Sequence, residues 1–179
     1  MYKRIRKTAS WKKAVLAFLA AQIIFLCMNV FTFPAIMKNG SSLTPFDMTG
    51  MAGYDYEYAD TFVRELPPSG RMVYLLFQEP LDILYPLLIS VSFVMAFGLL
   101  AGQQSRWPLL GFVPMAFDYL ENILVITMLT VSPLPPLLPS FSSVITQLKS
   151  ASVMLCLVLL AAASLWRVII WKRRKHVSA

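Results

Sequence analysis

The chain is poor in histidine, cysteine and charge, and each shortage removes a class of function. Its single histidine, His176, lies in a basic tail beside Arg173, Arg174 and Lys175. That excludes Ser-His-Asp catalysis and histidine-ligated zinc within the apolar segments. The two cysteines, Cys27 and Cys156, form no CxxC pair, which excludes a four-helix thiol oxidoreductase. Neither lies between Lys38 and Pro80, so the loop disulfides of tetraspanin- and claudin-type proteins are excluded too. Charged residues make up 14% of the chain, against about 25% in an ordinary soluble domain. Neither a cofactor nor a metal is expected.

What fills the chain instead is apolar. The hydrophobic fraction is 58% and the mean hydropathy is +0.64, where a soluble domain holds about 45–50% apolar residues. The excess needs lipid as its solvent. At 179 residues, four spans of about 20 residues leave roughly half the chain for connections and tails. The fold class expected is therefore all-α: one integral membrane domain, a four-helix transmembrane bundle with a short extracytoplasmic segment between helices 1 and 2.

The first apolar run extends from Ala14 to Pro34. It is longer than a signal-peptide core of about 7–15 residues and no small-x-small cleavage pattern follows it, so it reads as a retained helix. Leu26 before Cys27 stands where a lipid-attachment pattern needs a small residue. The second span is Leu81 to Gly102, with Pro80 at a helix start, where its missing N–H costs nothing. A turn from Gln103 to Arg106 leads into the third span, Trp107 to Thr130, with Pro108 in its first turn. The Pro-rich Ser132 to Ser140 reads as a loop. A last helix follows from near Ser140 to Trp171, with its membrane portion at 145–171.

The net charge of +7 is concentrated at the ends of these runs. Lys3, Arg4, Arg6, Lys7, Lys12 and Lys13 precede the first, Arg106 sits between the second and third, and Arg167, Lys172, Arg173, Arg174 and Lys175 close the last. By the positive-inside rule these flanks are cytoplasmic, so both termini are expected there. Membrane lipid is the partner this pattern implies, attracted at about 1 kcal/mol per basic residue; nucleic acid is not expected.

Between Lys38 and Pro80, Ala59, Phe62, Val63 and Leu66 recur at i, i+3, i+4 and i+7. They predict a short amphipathic helix lying on the bundle or the interface and ended by Pro67–Gly70. The apolar stretch Arg71 to Gln78 either lies in the interface or extends the second helix across Pro80.

Charge at mid-bilayer costs at least about 2.5 kcal/mol, so it usually faces the bundle interior. In the third span Asp118, Glu121 and Asn122 stand at i, i+3 and i+4. Asp82 and Tyr85 share a face of the second, and Ser142, Thr146, Lys149 and Cys156 align on the last. Gln22 and Asn29 give the first helix a polar stripe. Counting from Trp107 puts Asp118 about 16 Å and Glu121 about 21 Å into a core about 30 Å thick, so the stripes converge on the outer half. The expected ligand-binding set is Asp82, Tyr85, Asp118, Glu121, Asn122, Lys149 and Arg71. The alternative is that Lys149 and Arg71 neutralise the acids purely to lock helix packing. Pro114, one turn before Asp118, either shapes a cavity or kinks its helix.

Taken together, GRMVYLLFQEPLDILYPLL, FDYLENI and a lysine early in the last helix resemble small bacterial four-helix membrane proteins to which no activity attaches. The resemblance covers Gly70 to Lys149 and implies a multi-pass protein of a bacterial inner membrane. A more distant similarity is to the four-helix sterol-isomerase and sigma-2-like proteins, whose cavities use intramembrane acids. The isomerases' cavity histidine is absent, so that similarity implies the binding architecture alone. Three functions stay open: a cavity binding or transporting a cation, proton or polar lipid; an accessory subunit packing against other transmembrane chains; and an intramembrane acid/base enzyme. The orientation is testable directly. Single cysteines at Asn39 or Gly53 should react with a membrane-impermeant thiol reagent from outside, and those at Gln104 or Ser178 should not; outside labelling at Ser178 overturns it.

Overall fold

A computed structural model describes residues 8–38, 43–100 and 106–177. In chain order its helices are α1 (Trp11–Lys38), α2 (Tyr56–Glu65), α3 (Pro68–Leu100), α4 (Trp107–Thr130) and α5 (Leu138–Val177). No strand occurs among the described residues. All but α2 are long and apolar enough to cross a membrane. The turn expected after the second span falls largely on residues 101–105, outside the described residues, as do residues 1–7 of the basic N-terminal tail.

Two prolines that looked like helix boundaries lie inside continuous helices. α1 passes through a π-helical turn at Met28–Thr32 and runs on past Pro34 to Lys38. α3 starts at Pro68, passes through a π turn at Tyr74–Gln78 and continues past Pro80. In each turn the closing N–H reaches five residues back, Phe33 to Met28 and Glu79 to Tyr74. The wide turn just ahead of a proline gives its ring room that a regular α turn would deny it. The two π turns face each other: Thr32 Oγ1 donates to Gln78 Oε1, and Gln78 Nε2 contacts Met28 Sδ at 3.2 Å. Arg71 to Gln78 thus extends the second helix, and Pro80 is not its start.

The other boundaries shift less. α5 begins at Leu138, inside the stretch read as a loop, with Pro139 in its first turn, and ends at Val177 beyond Trp171. α4 opens as a 3₁₀ turn, Trp107–Phe112, before its α portion begins at Val113. Pro114 therefore falls at an α N-terminus, where it neither kinks the helix nor frees a carbonyl.

α1 and α5 both pack on α3, and α4 packs along α5. α2 starts at an Asp55 cap that accepts from Tyr58 N–H at 2.8 Å. It lies on the bundle, with Ala59, Phe62 and Leu66 buried against Phe46, Tyr74, Val125 and Met128. A second apolar cluster, Ala21, Ile89, Phe93, Phe97 and Cys156, fills the other half. Outward faces of α1 and α5 stay apolar and exposed, for example Ile23, Leu26, Met154 and Val158. Both cysteines are free.

Gly111 sets how closely the start of α4 approaches α3. A Cβ there would lie 2.7 Å from Val94 N and 3.1 Å from Phe93 C, both backbone atoms that cannot swing away. Gly111→Ala should therefore destabilise the purified protein by about 1–3 kcal/mol, the usual cost of overpacking, read as a fall in Tm in detergent. An unchanged Tm would mean this contact is looser than described.

Candidate functional site

Between the two apolar clusters, helices α3, α4 and α5 turn their acidic and basic residues towards one another. On α4, Asp118 is 3% exposed and Glu121 is 0% exposed, one turn apart as their spacing requires. Facing them on α5, Lys149 pairs with Glu121 Oε2 and lies 3.9 Å from Asp118 Oδ1. Thr146, one turn earlier, donates from Oγ1 to Glu121 Oε1 at 2.5 Å. From α3 comes Asp82, whose backbone carbonyl accepts from Asn122 Nδ2 at 3.1 Å. Tyr85, one turn on, is half-buried with its ring 5.9 Å from that of Phe25 on α1. Six of the seven residues expected to form a site are thus brought together.

The seventh, Arg71, is not among them. It lies eleven residues before Asp82 on α3, about 16 Å along the helix axis. Its guanidinium donates to Leu129 O at 2.5 Å and Val63 O at 3.0 Å. It therefore satisfies carbonyls at the C-terminal ends of α4 and α2, the usual place for a cation at a helix end. Arg71 pins α2 to the bundle and neutralises no carboxylate of the cluster.

Two carboxylates join the cluster that the sequence did not point to. Glu79 is 3% exposed and stands one turn before Asp82 on the same face of α3. Its i, i+3 relation to Asp82 was visible, but reading Pro80 as the helix start placed it outside the helix. Asp47 arrives from the connecting segment, in a 3₁₀ turn Phe46–Met48, where no periodicity marks it. Phe46 beside it is fully buried, its ring 4.8 Å from Phe62 and 4.9 Å from Tyr54. Burial of one such ring contributes about 1.5–3 kcal/mol, so these aromatics hold the turn in place. The segment is fixed further by Tyr54, whose N–H donates to Ser143 Oγ at 2.8 Å and whose hydroxyl donates to Ser142 Oγ at 2.7 Å. At Gly53, φ is +67° and a Cβ would lie 2.6 Å from Ser143 Oγ, so only glycine fits this turn.

Asp47 accepts a hydrogen bond from the Tyr74 hydroxyl at 2.6 Å. Ligand oxygens of Asp47, Asp82 and Glu121 lie within 4.8 Å of one another. Burial pushes the Asp47 carboxyl up to about 7, and the neighbouring Asp82 and Glu121 charges push it the same way, against Lys149 and the Tyr74 bond. Five carboxylates thus surround one ammonium.

A cavity of about 460 Å³ reaches this cluster from the gap between α1 and α5. Phe25, Met28, Val153, Met154 and Leu157 form its apolar walls, and Asp47, Asp82, Asp118 and Lys149 its polar end. Phe25, Met154 and Leu157 are exposed, so the mouth lies on the bundle's apolar flank. Asn29 is on the rim, its amide donating to Phe25 O at 2.7 Å within its own helix.

Lys149 is the only cation in reach of these acids among the described residues. Lys149→Ala should leave the surplus carboxylates unopposed and destabilise the protein by about 3–5 kcal/mol, the cost of breaking a buried pair from one side. Lys149→Arg should largely spare Tm. A Tm unchanged by Lys149→Ala would mean the lysine extends to solvent and belongs to no cluster. No family model, no curated protein and no solved structure matches this chain, so the chemistry of the site carries the functional reading alone.

Proposed function

We propose that the protein is a multi-pass membrane protein, both termini cytoplasmic, that binds an amphiphile laterally from the bilayer. The ligand is a polar lipid or similar molecule with an amine- or hydroxyl-bearing head. The observation that carries this reading is one cavity whose walls change from apolar at a flank mouth to carboxylate at the inner end. Binding pockets of this kind are mostly apolar, with a few placed polar groups fixing orientation. A tail between Phe25 and Met154 would stay in hydrocarbon while the head meets Asp82 and Asp118. An amine would relieve part of the acid surplus, and a hydroxyl would donate to one of the carboxylate oxygens that accept no hydrogen bond, such as Asp82 Oδ2 or Asp118 Oδ1.

Packing alone does not account for this chemistry. Interhelical hydrogen bonds in membranes average about 0.6 kcal/mol and neutral amides make them equally well. Five acids around one lysine are a costly way to obtain that glue. The orientation rests on the basic flanks, which place the cluster in the outer half of the bundle.

The test pairs a variant at the head with one at the mouth. Wild type purified in mild detergent should retain a defined amphiphile by native mass spectrometry. Asp118→Asn preserves shape and should weaken retention by the worth of a charge-assisted hydrogen bond, about 1.5–3 kcal/mol, roughly ten- to a hundred-fold. Met154→Trp should block the mouth and leave Tm intact. A wild type carrying the same lipid mixture as both variants would sink the proposal.

A further inference from the structure

We propose that Asp47, Asp82 and Glu121 form a binding site for a hard divalent cation of the Mg²⁺, Mn²⁺ or Ca²⁺ class. The inference goes beyond the amphiphile reading and does not need it, since the cation site is built from the carboxylates themselves. Sequence alone pointed to no metal here, because Asp47 could not be placed beside the two helix acids.

The first support is geometric. Three carboxylates from three separate elements, the turn at Phe46–Met48, α3 and α4, offer oxygens all within 4.8 Å of one another. Oxygen ligands bind Mg²⁺ at about 2.0–2.1 Å and Ca²⁺ at about 2.3–2.6 Å. Two oxygens on opposite sides of such an ion are therefore about 4–5 Å apart, so the observed spread suits a single ion without moving the backbone. The donors are all oxygen, and neither thiol nor imidazole joins the group, which selects hard cations over zinc or copper.

The second support does not come from the acids. Asn122 is 3% exposed, its Nδ2 held on the Asp82 carbonyl, and its Oδ1 has no hydrogen-bond partner. A proton can silence an unpartnered carboxylate, but an amide oxygen cannot be silenced that way. Its amide is anchored on the backbone carbonyl of Asp82, a member of the triad, which leaves Oδ1 as a buried neutral oxygen with nothing to accept from. Glu79 Oε2, also buried and unpartnered, lies one turn from Asp82 and in the field of all three triad carboxylates. Glu121 keeps lone pairs for an ion although Thr146 and Lys149 already contact it. A divalent ion offsets two of the surplus negative charges that Lys149 leaves uncompensated.

Because Asp47 belongs to the connecting segment, the ion would also tie that segment to the bundle. Binding should then be read twice, as ion uptake and as tighter docking. The experiment uses the full-length protein in detergent, stripped with a chelator and titrated with Mn²⁺ by electron paramagnetic resonance, with Tm and hydrogen exchange followed in parallel. One saturable Mn²⁺ per chain is expected, with a rise in Tm that saturates at the same concentration and added protection in residues 43–55. Mg²⁺ or Ca²⁺ should compete. Asp47→Asn and Asp82→Asn, which preserve shape, should each weaken Mn²⁺ at least tenfold, while Asp60→Asn, at a carboxylate of α2 paired with Arg64 and outside the triad, should not. A wild type without saturable Mn²⁺ overturns the proposal, as does Mn²⁺ affinity unchanged in both triad variants; the wild-type titration decides even if a variant fails to fold. Mn²⁺ binding without a retained amphiphile would instead overturn the preceding functional reading and leave this one standing.

Discussion

Four buried carboxylates and the half-buried Asp47 share one ammonium, and the rest of the bundle is arranged around that imbalance. Removing a charged group from water costs several kcal/mol after relaxation, and a partner repays it only where the geometry is close. Lys149 provides such a partner for Glu121 and, at longer range, for Asp118. Among the described residues nothing comparable faces Asp82, Glu79 or Asp47, several of whose oxygens are buried without a hydrogen bond. Apolar clusters flank the group on both sides, and its surplus charge calls for protons, a bound cation or a ligand head.

The helices meet at this level because of features unrelated to charge. Paired π turns in α1 and α3 let two prolines sit inside long helices and are joined through Thr32 and Gln78. Carried through Pro80, α3 presents Glu79 and Asp82 on one face. At the other end, Gly111 lets the start of α4 lie against the backbone of Phe93 and Val94, which fixes the distance between the helices bearing Asp82 and Asp118. Arg71 closes the opposite end by satisfying carbonyls of α2 and α4.

The cavity connects this charged centre to the apolar flank. A ligand that offers hydrocarbon to Phe25 and Met154 and a polar head to Asp82 and Asp118 suits both ends of it. A divalent ion in the Asp47, Asp82 and Glu121 group would leave Asp118 for the head. The two proposals share Asp82 and otherwise call on different residues of one site.

The four apolar helices and the facing of Asp118, Glu121 and Lys149 were legible from residue order alone, because hydropathy and helical spacing depend only on local sequence. The same holds for Asp82 with Tyr85 and for the amphipathic α2. Local reading failed where a boundary depended on long-range support: Pro34 and Pro80 read as helix ends until the opposing π turns accommodated them, and with Pro80 misplaced Glu79 was lost. Arg71 looked like a counter-ion because its charge was evident and its distance from the acids was not. Tertiary structure alone placed Asp47, since a residue in an aperiodic segment reaches the core only through the docking of its neighbours, here Phe46 and Tyr54. Composition and periodicity determined that this chain is a bundle with buried acids; packing decided which acids share a site, because distance between separate elements is not written in either element.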